Sequence, residues 1–536
     1  MMEPRRDLPT HEVTNQPPAR GDRCLWADDP VLRDHATGAD AACLAAYGTA
    51  LGTVDIAEAA RAANRQKPEP VLFDAGGRRL DEVRFHPAYH RLMELGLGHG
   101  YAGGPWTGGS HVAHAAQVYL HSQVEPGTCC PMTMTYAAVP ALAAAPDLAA
   151  LWVPKLTARA YDPSIAPVGD KRAATLGMAM TEKQGGSDVR ANTTRADPEG
   201  DAWRLTGHKW FCSAPMSDGF LTLAQTADGL SCFLVPRWLP SGDRNAIHLM
   251  RLKDKLGNSA NASAEIEYHG AVAQMLGAPG RGVPTIIEMV HHTRLDTAMA
   301  PAGLMRAALD HLHHWVRHRS AFQRRLIDQP LMRVLLADLA LDWEGATALG
   351  LHVARSFDAS GEDARGFARI GVALAKFLNN KLAIRVIAEA MEGIGGMGYV
   401  EDTLLPMLYR EAPLNGIWEG SGNVICLDIL RTLARDGAAD TALRADLDAA
   451  RGADRRYDAA LDAHAARWSD APTEAEARAF AERLATLLTA AVLIRQAPGA
   501  VADAYVATRL DAGRGLIAGS LPGIDPAPIV ARLSTA

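Results

Sequence analysis

Trp203-Arg204-Leu205-Thr206-Gly207-His208-Lys209-Trp210-Phe211 interrupts a chain that otherwise reads as helix after helix. Aromatic, β-branched and alternating residues of this kind favour extended backbone. Phe220-Leu221-Thr222-Leu223-Ala224, Ser231-Cys232-Phe233-Leu234-Val235-Pro236 and Ala264-Glu265-Ile266-Glu267-Tyr268 share the texture. Turn residues separate these runs at Pro198-Glu199-Gly200-Asp201 and Ala227-Asp228-Gly229. Short runs punctuated in this way predict an antiparallel sheet.

On either side the pattern changes. From about 36 to 160 the chain is rich in alanine and leucine at three- and four-residue spacing, as from Met132 to Leu151, which predicts packed helices. After Gly282 the helical period returns and holds to about 435. The remainder is again helical in pattern; residues 441–536 hold eleven arginines, twelve acidic residues and no lysine. The expected plan is therefore mainly α with a central antiparallel, barrel-like β domain. It divides into an N-terminal extension and helical domain (1–175), a middle β domain (176–281), a helical domain (282–437) and an added C-terminal helical domain (438–536).

At 536 residues the chain exceeds what one compact core accommodates. Hydrophobic residues at 48% and charged residues at 21% fit a globular protein, and a net charge of −7 gives no global pull toward nucleic acid or anionic membrane. No apolar run reaches the roughly 18 residues of a spanning helix, so no membrane contact is expected. Met1 to Gln16 carries charges and prolines rather than an apolar core, which predicts no signal peptide. The seven cysteines, at 24, 43, 129, 130, 212, 232 and 426, form no Cys-x-x-Cys pair. Reduced thiols in the cytoplasm are expected.

Three segments carry chemistry. In Asn415-Gly416-Ile417-Trp418-Glu419-Gly420-Ser421-Gly422-Asn423 a lone glutamate sits between an indole and small residues. Small residues admit a flat ligand, and a carboxylate in such surroundings is partly desolvated, with its pKa raised toward that of a general base. A glutamate capping or salt-bridging a glycine-rich turn is the alternative. Met180-Thr181-Glu182-Lys183-Gln184-Gly185-Gly186-Ser187-Asp188-Val189 offers hydroxyls and open backbone N–H groups to the edge of a heterocycle or a pyrophosphate, or else forms a β-turn. Phe211 and Ser213 would flank the same ligand. Gly393-Ile394-Gly395-Gly396-Met397-Gly398 spells a dinucleotide fingerprint, but Ala383–Met391 before it is helical in pattern, so a helix C-terminus and turn are expected. His311, His314 and His318 share a helix face without a carboxylate or cysteine to complete a metal set, and no metal is expected.

Taken together, Met180-Thr181-Glu182, Gly186-Ser187-Asp188-Val189, Gly207-His208-Lys209-Trp210-Phe211, Arg294, Arg319-Ser320-Ala321-Phe322, Gly395-Gly396-Met397-Gly398-Tyr399 and Trp418-Glu419-Gly420-Ser421 resemble the acyl-CoA dehydrogenase flavoproteins. Arg251-Leu252-Lys253-Asp254-Lys255-Leu256-Gly257-Asn258, the Thr14-Asn15-Gln16-Pro17 stretch and the added C-terminal segment resemble the AidB branch, linked to the adaptive response to DNA alkylation.

The resemblance implies a helical N-terminal domain, a β-barrel-like middle domain, a C-terminal four-helix bundle and bound FAD. It makes Glu419 the base that takes the α-proton of an acyl-CoA thioester while the β-hydrogen leaves as hydride to flavin N5. Met180, Thr181, Gly186, Ser187, Phe211 and Ser213 would line the flavin. Arg319, Phe322, Glu392, Gly395 and Gly396 would reach the cofactor of a neighbouring subunit, and Ser421 and Asn423 the cofactor beside Glu419. Thr181, Ser187 and Arg294 would contact substrate. Shared cofactor sites imply a homotetramer.

Two departures stand out. His291-His292 replaces an acidic contact to the CoA chain, and Phe211 replaces a tryptophan over the flavin, as in AidB-like proteins. The alternative function implied by that branch is binding double-stranded DNA to protect it from, or repair, alkylation. Arg431, Arg435, Arg444, Arg451, Arg455 and Arg456 would line that surface, or else decorate solvated helix faces.

Overall fold

The computed structural model describes residues 4–511, 514–521 and 523–535, so the first residues of the Met1–Gln16 stretch lie outside it. The N-terminal part contains α1 (Pro30–His35), α2 (Ala41–Leu51), α3 (Val54–Arg65), α4 (Pro87–Gly98), α5 (His111–Ser122), α6 (Cys129–Leu142) and α7 (Pro146–Leu156). Asp29, Asp40, Thr53 and Ser110 start four of these helices by accepting hydrogen bonds from first-turn N–H groups.

One element within 36–160 escaped the helical reading. β1 (Glu69–Phe73) pairs antiparallel with β2 (Arg79–Arg84). The turn forms because the Asp74 carboxylate accepts from the Gly76 and Arg78 N–H groups, and Gly77 takes φ 79°. Asp81 ties the hairpin to the β domain by accepting from the Leu249 N–H at 2.7 Å.

The middle part consists of β3 (Leu176–Ala179), β4 (Arg195–Glu199), β5 (Ala202–Ser213), β6 (Gly219–Thr226), β7 (Gly229–Pro236), β8 (Ile247–Leu252) and β9 (Ser263–Leu276). The expected strand runs lie in β5, β6, β7 and β9. Pairings β6–β7, β7–β9, β9–β5, β5–β4 and β4–β6 close the sheet into a barrel-like ring around Leu205, Phe220, Phe233 and Ile266. The sheet is not wholly antiparallel: β3 runs parallel to β6, and β4 meets β6 in the same sense. Long connections separate β3 and β4 from β6, and parallel pairing needs such a crossover.

Next come α8 (Gly282–His318), α9 (Pro330–Asp358), α10 (Glu362–Ile394), α11 (Leu405–Glu411) and α12 (Gly422–Arg435). α8, α9 and α10 pack mutually and bury Leu304, Leu341 and Leu374. Gly303 lets α8 cross α5 closely, since a Cβ there would lie 2.4 Å from the Tyr119 carbonyl oxygen. α10 ends at Ile394 with Gly395 at φ 80°, as the helix-terminus reading of the glycine run expects.

The C-terminal segment adds α13 (Gly437–Asp448), α14 (Arg455–Arg467), α15 (Ala477–Gln496), α16 (Gly499–Arg509) and α17 (Ala527–Val530). α13 packs on α10 and α15 on both α9 and α10, and their apolar residues join the same core. Arg509 bridges Asp338 at 2.6 Å and Asp342 at 2.7 Å, both on α9, so charge as well as apolar burial holds the segment in place. No helix among the described residues is long and apolar enough to cross a membrane.

Candidate active site

Glu419 lies between α11 and α12 in left-handed backbone, φ 56°, followed by Gly420 at φ 103°. A non-glycine residue pays about 1–3 kcal/mol for such a conformation and keeps it only where its surroundings enforce it. Three side chains do so. Lys376 of α10 donates from Nζ to the carbonyls of Asn415 (3.0 Å) and Gly420 (2.8 Å), which bracket the glutamate. Arg294 of α8 donates to the carbonyl of Glu419 itself at 3.2 Å, and Trp418 Nε1 to Asn415 Oδ1 at 2.8 Å.

The carboxylate is held separately. Thr293 Oγ1 donates to Glu419 Oε2 at 2.9 Å. Burial raises the Glu419 pKa above the usual carboxylate range, and the Thr293 hydrogen bond with the Lys376 and Arg294 charges opposes the rise. Glu419 makes no ion pair among the described residues, and Ser421, not Glu419, is the N-cap of α12. The capping and salt-bridging alternatives are therefore not what the structure holds. Lys376 is only 2% exposed, and burial depresses its pKa to about 7.

Arg294 is engaged within the protein: its Nη1 pairs with Asp428 at 2.7 Å, and Asp428 also takes Arg369 at 2.7 Å. The histidines before it turn into an aromatic chamber. His291 stacks on Phe357 with ring centroids 4.7 Å apart, and His292 meets Trp106 and Tyr136. Burial lowers the pKa of His292 to about 4 and that of His111 to about 3, so this wall is neutral near pH 7.

The β-domain face is built on an ion pair. Glu182 and Lys209, both fully buried, meet at 3.0 Å; Glu182 also accepts from the Thr193 and Thr194 N–H groups, and Lys209 donates to the Leu223 carbonyl. The 180–189 loop is thereby clamped to β5, with the Trp210 N–H donating to the Thr181 carbonyl at 2.7 Å. Gly186 sits against Thr181, where a Cβ would lie 2.4 Å from Oγ1. Phe211 is 48% exposed and has the Lys253 ammonium 4.7 Å from its ring centroid, and Ser213 Oγ meets Ser263 Oγ at 3.3 Å. Cys130 at the start of α6 joins the two faces. Burial pushes its thiol up to about 12, and it feels both the Ser213 hydroxyl and the Glu419 charge.

Of the residues expected at the site, Met180, Thr181, Gly186 and Ser187 belong to the loop clamped to β5, and Phe211 and Ser213 lie at the end of that strand; Glu419 lies in the loop before α12, Ser421 caps that helix and Asn423 is in its first turn. Asn423 accepts from Arg478 at 2.9 Å. Arg319, Phe322, Glu392, Gly395 and Gly396 are elsewhere, and no hydrogen bond or ion pair among the described residues ties them to the Glu419 loop. Arg319 donates to the Asn15 carbonyl at 2.8 Å, and Phe322 projects 95% exposed from a hairpin formed by Ser320–Ala321 and Arg324–Arg325. Gly395 and Gly396 border open space.

Four of the six C-terminal arginines face aspartates: Arg431 with Asp428, Arg444 with Asp440, Arg451 with Asp448 and Asp462, and Arg456 with Asp454 and Asp503. Arg435 and Arg455 are exposed. No group of three or more His, Cys, Asp or Glu among the described residues could hold a metal.

Lys376, Cys130 and the Glu182–Lys209 pair were not singled out as site-building residues by the sequence. A signal existed for Lys376, a lone cation in the apolar run Val372-Ala373-Leu374-Ala375-Lys376-Phe377-Leu378.

Residues 15–163 match the family model described as Adaptive response protein AidB N-terminal domain, 177–271 the Acyl-CoA dehydrogenase, middle domain, and 280–434 the Acyl-CoA dehydrogenase, C-terminal domain. The chain is 43% identical over 518 residues to the "Putative acyl-CoA dehydrogenase AidB" of Escherichia coli (strain K12), covering 95% of this chain and 96% of that protein. It is 33% identical over 423 residues to "Acyl-CoA dehydrogenase family member 11" of Caenorhabditis elegans, covering 74% and 67% respectively. The crystal structure of Caenorhabditis elegans ACDH-11 in complex with C11-CoA superposes with a TM-score of 0.81 at 28% identity, covering 98% of this chain and 92% of that one.

Proposed function

We propose that this chain, which belongs to the AidB-type acyl-CoA dehydrogenases and is an FAD-dependent oxidoreductase of CH–CH bonds, removes the α-proton of an acyl thioester with the Glu419 carboxylate. The observation that carries this reading is the presentation of Glu419: left-handed backbone, a braced loop and a carboxyl with a raised pKa. A carboxylate desolvated in this way is a stronger base than one in water. Thr293 fixes its direction, and the Lys376 and Arg294 charges oppose the rise in its pKa. The Glu419 backbone N–H would supply one donor to the thioester oxygen, where charge develops as the proton leaves.

The residues fit FAD. Thr181 and Ser187 offer hydroxyls on the loop clamped to β5, Ser213 carries another on β5 itself, Phe211 is half-exposed, and Gly395 and Gly396 leave room at an open turn. Bound FAD would accept the β-hydrogen as hydride. Acyl-CoA as the substrate class is supported by the C11-CoA bound to the similar worm protein. The neutral His291–His292 wall replaces an acidic contact, which should weaken the hold on CoA and lower efficiency. Phe322, Tyr399 and Leu331, at 95%, 82% and 85% exposure, are apolar surface suited to burial in a homotetramer in which Arg319 and Phe322 reach a neighbour's cofactor. Seven free cysteines suit a reducing cytoplasm.

The deciding experiment is an anaerobic titration of the yellow protein with a panel of acyl-CoAs. Bleaching of the oxidised flavin band in the parent but not in Glu419→Gln supports the assignment, and equal bleaching in both overturns it. The alternative, a DNA protector or repair protein, rests on the AidB likeness. Its six arginines largely face aspartates, which leaves less cation for phosphates. Absence of retention on double-stranded DNA even at low salt would remove that alternative.

A further inference from the structure

Arg251-Leu252-Lys253-Asp254-Lys255-Leu256-Gly257-Asn258 leaves β8 at Leu252, and the chain re-enters the sheet at Ser263, the first residue of β9. Two contacts fix this connection against α11. Gly257 lies so close that a Cβ there would sit 2.5 Å from the Arg410 carbonyl oxygen. The Asn258 N–H, in left-handed backbone at φ 52°, donates to Glu411 Oε2 at 2.5 Å. Lys255 is held by the same turn: its Nζ donates to the Asn261 carbonyl at 2.7 Å and to Ser263 Oγ at 3.2 Å. Ser263 stands opposite Ser213 in the antiparallel register of β5 and β9, and their hydroxyl oxygens are 3.3 Å apart. Lys255, Ser263 and Ser213 thus form one chain running from the turn to the end of β5.

The chain has a direction. An ammonium donates and cannot accept, so Ser263 Oγ receives from Lys255. Burial lowers the Lys255 pKa to about 8, which leaves it an ammonium near pH 7. Ser263 is 5% exposed, and among the described residues its own proton has no acceptor but Ser213 Oγ. A buried hydroxyl proton without an acceptor is unfavourable, so Ser263 donates onward to Ser213. The Ser213 proton is then left over. The Cys130 thiol feels that hydroxyl as well, but sulfur is a weak acceptor.

We infer that Lys255 is a positioning residue for the cofactor: through Ser263 it commits the Ser213 hydroxyl to donating toward an acceptor atom on the rim of the isoalloxazine. This role presupposes that Ser213 lines the flavin, as proposed above. Hydrogen bonds to the ring tune its electronics, and a charge at the head of a hydrogen-bonded chain strengthens the last donor. Without Lys255, Ser263 is free to accept from Ser213 and draws that proton away from the ring.

The test compares Lys255→Met, Ser263→Ala, Ser213→Ala and the double variant Lys255→Met/Ser213→Ala as FAD-loaded full-length proteins. The readouts are the visible spectrum and reductive titration against a reference dye. Lys255→Met and Ser263→Ala should each displace the flavin–dye equilibrium at least threefold, in the same sense as Ser213→Ala and with a shift of the oxidised flavin band. Adding Lys255→Met to Ser213→Ala should displace it little further, because the chain then has no end that reaches the ring. A purely structural role would lower stability without this shared displacement. Parental spectra and equilibria in Lys255→Met and Ser263→Ala, beside a shifted Ser213→Ala, would overturn the role of Lys255. A fully additive double variant would overturn it too, since the charge would then act through space. No effect of Ser213→Ala would remove both the flavin contact of Ser213 and the role of Lys255, leaving the Glu419 assignment untouched. Where Lys255→Met fails to hold FAD, Ser263→Ala set against Ser213→Ala decides.

Discussion

Thr293 and Glu419, 126 residues apart in sequence, meet through a 2.9 Å hydrogen bond that fastens the carboxylate of one loop to the side of α8. The bond favours the ionised form against the burial that raises the Glu419 pKa. Thr293→Val keeps the shape and deletes the donor. A hydrogen bond to a charged group favours the ionised form, so its loss lets the Glu419 pKa rise further. The base must be deprotonated to act, so the acid limb of the kcat/KM profile should move to higher pH. An unmoved limb would show that the bond does not govern the proton on Glu419.

Lys376 acts on the backbone around the same residue. Lys376→Met would leave the Asn415 and Gly420 carbonyls without their donor, at about 1–3 kcal/mol for each buried acceptor. Turnover should fall by tenfold or more, with the flavin still bound. The titration has a sign as well. A folded pKa of about 7 lies below that of an unfolded lysine, so the unfolded chain binds more protons above pH 7. This group therefore makes the protein more stable as pH rises from 7 toward 10. Urea midpoints across that window should climb less steeply in Lys376→Met than in the parent.

Local pattern carried much of the fold. Runs such as Trp203–Phe211 have extended texture at short range, and the helical period resumes at Gly282, where α8 begins. The β1–β2 hairpin was not legible because it is short and contains Pro70, and its stability comes from Asp81 bonding to distant β8. The parallel placement of β3 is likewise a tertiary outcome. Glu419 stood out through its odd neighbours, whereas Lys376 and Cys130 sit in helices whose facing residues periodicity does not rank. The left-handed conformation of Glu419 had no sequence signal, since Lys376 of α10 and Arg294 of α8, distant in sequence, enforce it together with the Trp418–Asn415 contact.

Glu182 and Lys209 form the anchor of the loop expected to line the flavin. Burial opposes the charge on Glu182, but the Lys209 ammonium and the Thr193 and Thr194 hydrogen bonds bring its pKa to about 2. Glu182→Gln would leave Lys209 buried without a counter-charge, a change that costs about 3–5 kcal/mol in such pairs. The variant should lose FAD on gel filtration under conditions in which the parent stays yellow, and melt at lower temperature. Full retention of cofactor with an unchanged melting point would show that the pair does not anchor the loop.

Asp342 tests how the C-terminal segment is attached. Burial works against its charge, but Arg509, Arg514 and Arg385 hold its pKa at about 2. The folded value lies below the unfolded one, so the contribution is present above about pH 4 and disappears as pH falls toward 2; it is on the order of 2 kcal/mol. Asp342→Asn should therefore lower stability at neutral pH and flatten the acid-unfolding curve between pH 4 and 2. Because Arg509 and Arg514 belong to the added segment, α15 and α16 should become sensitive to limited proteolysis in the variant before the β domain does. Simultaneous cleavage of both regions would mean that the segment and the β domain unfold as one cooperative unit.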